Sequence, residues 1–109
     1  ELHGLAHITG GGIKGNLNRI LPADMSAKVD VGNIRVLPIF EVIKRYGQVP
    51  DSDMLRTFNM GVGITMVVKP SALPAVTAHL RQFGCEAYVI GEIVEGNQTV
   101  VLEGQLQYP

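Results

Sequence analysis

Only one cysteine, Cys85, and no tryptophan occur among the 109 residues. A lone cysteine excludes an internal disulfide, and the three histidines form no cluster with metal-ligand spacing, which excludes structural zinc. Charge of one sign is lacking too. Nine Lys and Arg stand against ten Asp and Glu, a formal net charge of -1, so there is no basic field to hold nucleic acid. No apolar run approaches the roughly 20 residues that a membrane helix needs, and the N-terminus has no charged stretch followed by an apolar signal. A soluble, cytoplasmic protein without a membrane partner is expected.

What is present is apolar content of 46% and 13 glycines. That suffices for one compact domain spanning residues 1–109 and is too little for two. The chain opens on Glu1-Leu2-His3-Gly4 without methionine and closes on Tyr108-Pro109; both ends are expected to be cut boundaries, although processing also removes methionines.

An apolar stretch from Leu5 to Thr9 runs into Gly10-Gly11-Gly12, where the backbone is free of side-chain limits. Ile13, Leu17, Ile20 and Leu21 then recur at helical spacing until Pro22. Ala27 to Val31 and Ile34 to Val36 read as short strands. Pro38 suits the first turn of a second helix burying Ile39, Phe40, Ile43 and Tyr46 and ending at Gly47. Asp51 is positioned to cap a short helix reaching Leu55 and Arg56, ahead of the apolar run Ile64 to Val68, expected as a central strand. Ser71 and Pro74 open a further helix with Leu73, Val76, Leu80 and Phe83 on one face, and Gly84 ends it. Two strands around Glu95-Gly96-Asn97, Ala87 to Val94 and Gln98 to Leu102, read as a closing hairpin. The fold class implied is α+β, a mixed, largely antiparallel sheet packed with helices.

A glycine loop feeding a helix is a physical anion site, because unpaired N–H groups converge where no β-carbon blocks approach. The competing reading is a tight turn required by close packing. Gly10, Gly12 and Gly15 satisfy G-x-G-x-x-G, with Asp30 near the distance of a ribose-binding acid, but a dinucleotide fold needs more parallel strands and helices than this chain supplies. Asn16-Leu17 after Gly15 stand where a P-loop requires Lys and then Ser or Thr.

Gly4-Leu5-Ala6-His7-Ile8-Thr9-Gly10-Gly11-Gly12, followed by Asn16 and Arg19-Ile20-Leu21-Pro22, resembles the His-x-Thr-Gly-Gly-Gly region of AIR synthetases. A second block, Met54 with Arg56-Thr57-Phe58-Asn59-Met60-Gly61-Val62-Gly63, resembles their other C-terminal signature. The resemblance covers essentially the whole chain. It departs at Gly15 and Asn18, where family members often carry Glu and Pro, and tryptophan is missing near Val36-Leu37.

The resemblance implies a C-terminal lobe, AIR-synthetase C-terminal-domain-like and partly ferredoxin-like, cut inside its N-terminal edge so that exposed sheet surface favours self-association. The family's complete enzyme converts formylglycinamidine ribonucleotide and ATP to aminoimidazole ribonucleotide, ADP and phosphate. ATP with Mg2+ is expected mainly on an N-terminal domain, and the full-length protein is expected as a homodimer. An amidine nitrogen attacks the formyl amide carbon after ATP phosphorylates the amide oxygen, so the protein must position two anionic partners. The lobe by itself is expected to be inactive.

By the same resemblance, Thr9 and the amides of Gly10, Gly11 and Gly12 hold a phosphate, with Asn16 and Arg19 in support. Whether that phosphate is the substrate's or the nucleotide's stays open. His7 is the candidate catalytic residue, in proton transfer or substrate binding, against the alternative of a satisfied structural histidine. Asn59, Gly61 and Gly63 bring a second loop to the same cleft, or simply let the backbone approach a buried strand, and Arg56 either binds an anion or caps surface charge. Another ATP-dependent superfamily member and a non-catalytic phosphate-binding or interaction module remain as alternatives.

Overall fold

The computed structural model describes residues 2–109, so the expectation attached to Glu1 as a cut end lies outside the described residues. The chain enters on strand β1 (Leu2–His7), turns at the glycines and forms helix α1 (Gly12–Leu17). At Asn18 the expected longer helix tightens into a 3-10 turn, Asn18–Ile20. Leu21 then takes an extended conformation (ψ 135°), as a residue before proline must to avoid the Pro22 ring.

Strand β2 (Met25–Asp30) follows and ends in a 3-10 turn, Val31–Asn33, capped by the Asp30 carboxylate, which accepts from the Gly32 N–H at 2.9 Å. The strand expected over Ile34 to Val36 is absent. Ile34 and Val36 are buried all the same, as apolar anchors of an irregular connection to helix α2 (Pro38–Gly47). On α2, Phe40 and Ile43 pack against the core, while Ile39 is 56% and Tyr46 80% exposed, against expectation. Phe40 and Ile43, three apart, share the face that meets the core, while Ile39 at the edge of that face and Tyr46 in the last turn have nothing packed over them among the described residues.

Helix α3 (Asp51–Thr57) has Pro50 at its N-cap and no side-chain cap. Asp51, expected as the cap, instead turns its carboxylate toward Lys44 and Tyr108. Strand β3 (Ile64–Val68) pairs antiparallel with β1, Leu5 opposite Met66 and His7 opposite Ile64. It is half of a two-stranded sheet rather than a central strand: only its Ala6/Thr65 side is buried, and Ile64 is 61% exposed. A 3-10 turn, Pro70–Ala72, leads into helix α4 (Leu73–Gln82), which buries no residue completely.

The last strands, β4 (Gly91–Glu95) and β5 (Val100–Glu103), run opposite to each other as in a hairpin, but β2 lies between them. It is antiparallel to β4 and parallel to β5. The expected hairpin is therefore split, because the connecting residues close over the start of β2. Gly96 N–H donates to the Asp24 carbonyl at 3.0 Å, Gln98 N–H to Met25 at 2.7 Å, and Ser26 Oγ lies 3.0 Å from Thr99 Oγ1. Ala27 and Val29 of β2 are buried as a central strand requires. The class is α+β, with antiparallel pairing predominant, and the strands divide into two sheets rather than one. Ile8, Ile13, Val31, Met54, Met60 and Val100 are almost wholly shut from solvent and form the heart of the core.

Candidate functional site

The loop after β1 and the loop before β3 are sewn together through backbone groups. Ile8 N–H donates to the Gly63 carbonyl at 2.8 Å, and the Ile8 carbonyl accepts from Asn59 Nδ2 at 3.3 Å. Asn59 Oδ1 also accepts from the Gly61 N–H at 2.9 Å, a local turn that lets Met60 and Gly61 adopt positive φ (58° and 109°). A β-carbon on Gly61 would stand 2.9 Å from Leu37 Cγ, so glycine serves there both for its dihedral and for space.

Gly12 is more constrained still. Its φ is +71°, and a β-carbon would run into the Leu55 carbonyl oxygen, with the Phe58 carbonyl close behind. The first turn of α1 thus touches the backbone of α3 directly, and this contact places the glycine loop beside the second signature stretch. Asn16, 4% exposed, holds the loop from within. Its Nδ2 donates to the carbonyls of Gly12 (2.7 Å), Thr9 (3.2 Å) and Gly10 (3.3 Å), and its Oδ1 accepts from Thr9 Oγ1 at 3.3 Å. Gly12 N–H donates to the Thr9 carbonyl at 3.1 Å.

The candidates therefore separate. Asn16, Asn59 and the Gly12 amide are engaged in building the loop. The exposed N–H groups of Gly10 and Gly11 have no internal partner among the described residues and remain available to an anion. Thr9 is exposed at the same turn, with its hydroxyl turned toward Asn16. Gly63 contributes its carbonyl to the seam between the loops.

Beside the loop, between α1 and α3, opens a cleft of about 720 Å³, lined from the α1 side by Gly11, Lys14 and Gly15 and from α3 by Ser52, Leu55 and Arg56. Neither His7 nor Arg19 lines it. His7 ends β1 on the exposed side of the two-stranded sheet, in register with Ile64, and Arg19 is exposed on the 3-10 turn after α1. Lys14 and Arg56 are the cations the structure brings to the cleft. Arg56 was already readable as an anion ligand or a surface charge, whereas the signal of Lys14 was slight: it is the first charged residue after the glycines.

Electrostatic support for α3 comes from behind. Lys44 Nζ donates to Asp51 Oδ1 at 2.5 Å, Tyr108 Oη donates to the same oxygen at 2.8 Å, and the ammonium lies 5.3 Å from the Tyr108 ring centroid. Burial raises the Asp51 pKa, but the hydrogen bonds from Lys44 and Tyr108 more than offset it and hold the carboxyl below the ordinary value. Burial, and then the neighbouring carboxylate, push the Tyr108 phenol well above its usual range. Among the described residues no group of three or more His, Cys, Asp and Glu lies close enough to hold a metal ion, and no helix is long and apolar enough to cross a membrane.

Residues 1–103 match the family described as AIR synthase related protein, C-terminal domain. The chain is similar to the phosphoribosylformylglycinamidine cyclo-ligase of Brevibacillus brevis, 45% identical over 104 residues, covering 95% of this chain and 30% of that protein. Proteins of the same name from Pseudothermotoga lettingae (42% over 102 residues, 94% and 30%) and Latilactobacillus sakei (43% over 100 residues, 92% and 29%) match comparably. The chain spans about 30% of the length of these relatives.

Proposed function

The chain belongs to the AIR synthase related C-terminal domain family, and from that premise we propose that it is the C-terminal lobe of an ATP-dependent phosphoribosylformylglycinamidine cyclo-ligase. Residues 1–109 make up this single domain. The complete enzyme closes the imidazole ring of aminoimidazole ribonucleotide in purine biosynthesis, in the cytoplasm, as a homodimer. The lobe supplies one wall of the active site. ATP with Mg2+ binds mainly to the N-terminal domain, whose contact with this lobe is favoured by the bare apolar row of Leu5, Ile64 and Met66.

One observation carries the reading: the seam of backbone contacts that joins the glycine loop to the Asn59–Gly63 loop, distant in sequence yet rigidly adjacent. Such an arrangement suits a phosphate site that must not reorganise when charge develops in the reaction. Gly10 and Gly11 present free amides to the phosphate of the ribonucleotide, Thr9 flanks them, and Asn16 and Asn59 hold the loops in place. His7 stands one residue from the seam, on an open face where it can reach a substrate held between the two domains. There it donates or accepts a proton as the amidine nitrogen attacks and phosphate departs. Arg19 and the edges of the second loop at Gly61 and Gly63 complete the surroundings.

Joining this chain to the N-terminal two-thirds of the Brevibacillus brevis relative tests the reading. Formation of aminoimidazole ribonucleotide is expected from the joined protein and from neither part alone, with at least a hundredfold loss on His7→Ala. A folded, joined protein without activity would remove the cyclo-ligase assignment.

A further inference from the structure

We infer that the cleft between α1 and α3 grips a phosphate monoester through Lys14 and Arg56, which makes these two cations the charge partners of the glycine loop. The inference rests on the reading that Gly10 and Gly11 face a phosphate, and it adds the residues that give that site its charge.

The two residues come from stretches 42 positions apart and line one cleft because Gly12 lets α1 lie directly against α3. Lys14 forms no ion pair among the described residues. Arg56 gives one guanidinium nitrogen, Nη2, to Asp53 and keeps the rest of its donors free. No carboxylate lines the cleft, so with Asp53 counted against Arg56 the walls carry one uncompensated positive charge. Leu55 and Leu102 add apolar lining against which the body of a phosphate monoester can rest. Gly15 leaves open space on the α1 wall, where a β-carbon would meet nothing within 4 Å. Asn18, also on this wall, is committed elsewhere through its Nδ2 bond to the Gln98 carbonyl. A volume of about 720 Å³ accommodates a ligand of nucleotide size. Charge, space and an edge formed by Gly11 select an anion attached to a larger body, entering with its phosphate toward the free amides.

The test is a titration of the folded, isotopically labelled 109-residue chain with inorganic phosphate and then ribose 5-phosphate, following the amides of Gly11 and Gly15. Lys14→Gln and Arg56→Gln are each expected to weaken binding about tenfold, as loss of one charge-assisted contact requires. Asp53→Asn releases Arg56 and is expected to tighten binding severalfold, an effect that a merely structural Arg56 would not produce. Arg81→Gln on α4 serves as the control for net charge and is expected to change nothing. Wild-type affinity in both Lys14→Gln and Arg56→Gln, with the Gly11 shift retained, would overturn this inference and leave the glycine-loop reading intact. The same holds if Arg19→Gln alone weakens binding. Absence of any shift in the folded wild-type chain would overturn both.

Discussion

Around the contact of α1 with α3, Met54 and Met60 are completely enclosed and Gly12 lies so close to Leu55 that no β-carbon fits, whereas α4 buries no residue and leaves Phe83 75% exposed. Both regions are rich in residues that punctuate structure. In the first, the backbone at Gly12 packs on the backbone of α3, so residue identity there is set by sterics. In the second, side chains rest on a surface and can shift. The candidate site belongs to the first region, which explains how a loop of three glycines, the most flexible residues, can serve as a rigid wall.

The largest effect expected from breaking that difference is at Gly12. An alanine there would need a strained positive φ and would collide with a backbone carbonyl, so Gly12→Ala is expected to cost on the order of 4 kcal/mol or to prevent folding. Gly10→Ala, two positions away in the same loop, meets no atom within 4 Å and is expected to change stability by less than about 0.5 kcal/mol. Urea denaturation of the two variants separates steric necessity from loop flexibility; equal costs would show that the α1–α3 contact does not exist.

Asn16 comes next. Asn16→Ala removes the donor shared by three carbonyls, the Gly12 contact buried and the Thr9 and Gly10 contacts partly so, with an expected cost of about 2 kcal/mol. The measurement is again a denaturation midpoint. A variant of native stability would return Asn16 to the role of a ligand-binding group that the sequence suggested.

That reassignment shows where sequence reasoning stopped. The glycine loop opening a helix and the α+β class were legible because each rests on local chemistry, glycine, proline and apolar period, whereas the second signature was legible only through its resemblance to the family. Whether an asparagine amide faces a ligand or its own loop depends on how Thr9 to Gly12 curl around it, which no spacing reveals. The closing hairpin was misread for a related reason. The apolar pattern and the Glu95-Gly96-Asn97 turn identify β4 and β5 as strands of opposite direction, but not that β2 is inserted between them, since that is decided by Ser26, Ala27 and Val29 needing cover on both sides. Ile39 and Tyr46 of α2 show the limit of apolar period: several faces of a helix carry apolar residues, and only packing chooses among them. Lys14 and Arg56 were visible as charges, yet the cleft they share exists only once α1 meets α3.

A smaller effect is expected on the inner face of the β1–β3 sheet. Thr65 is buried, and its hydroxyl is the one enclosed side-chain polar atom without a hydrogen-bond partner among the described residues. Thr65→Val keeps the shape of the side chain and removes the orphan group, so a gain of about 1 kcal/mol is expected by denaturation. A loss of stability would mean that the hydroxyl has a partner in solution, such as a bridging water.

The smallest effect belongs to the periphery, at the link between Tyr108 and the start of α3. The folded Asp51 carboxyl titrates below its unfolded counterpart, so its contribution to stability is full above about pH 4 and is lost as pH falls through the lowered folded value. The Tyr108 phenol behaves in the opposite sense: its folded pKa is raised, so its contribution is full below about pH 10 and declines as pH rises beyond it. Tyr108→Phe deletes the alkaline arm entirely and weakens the acid arm, in which Lys44 alone still holds the Asp51 carboxylate. Since the Asp51 and Lys44 side chains are both more than a third exposed, solvent screens the pair and the loss at neutral pH is expected to be below about 1 kcal/mol. Comparison of wild-type and Tyr108→Phe denaturation midpoints at pH 3, 7 and 11 checks this. A difference that is constant across the range would show that Tyr108 acts through its ring against Lys44 and the core, and that the hydroxyl bond to Asp51 adds no stability.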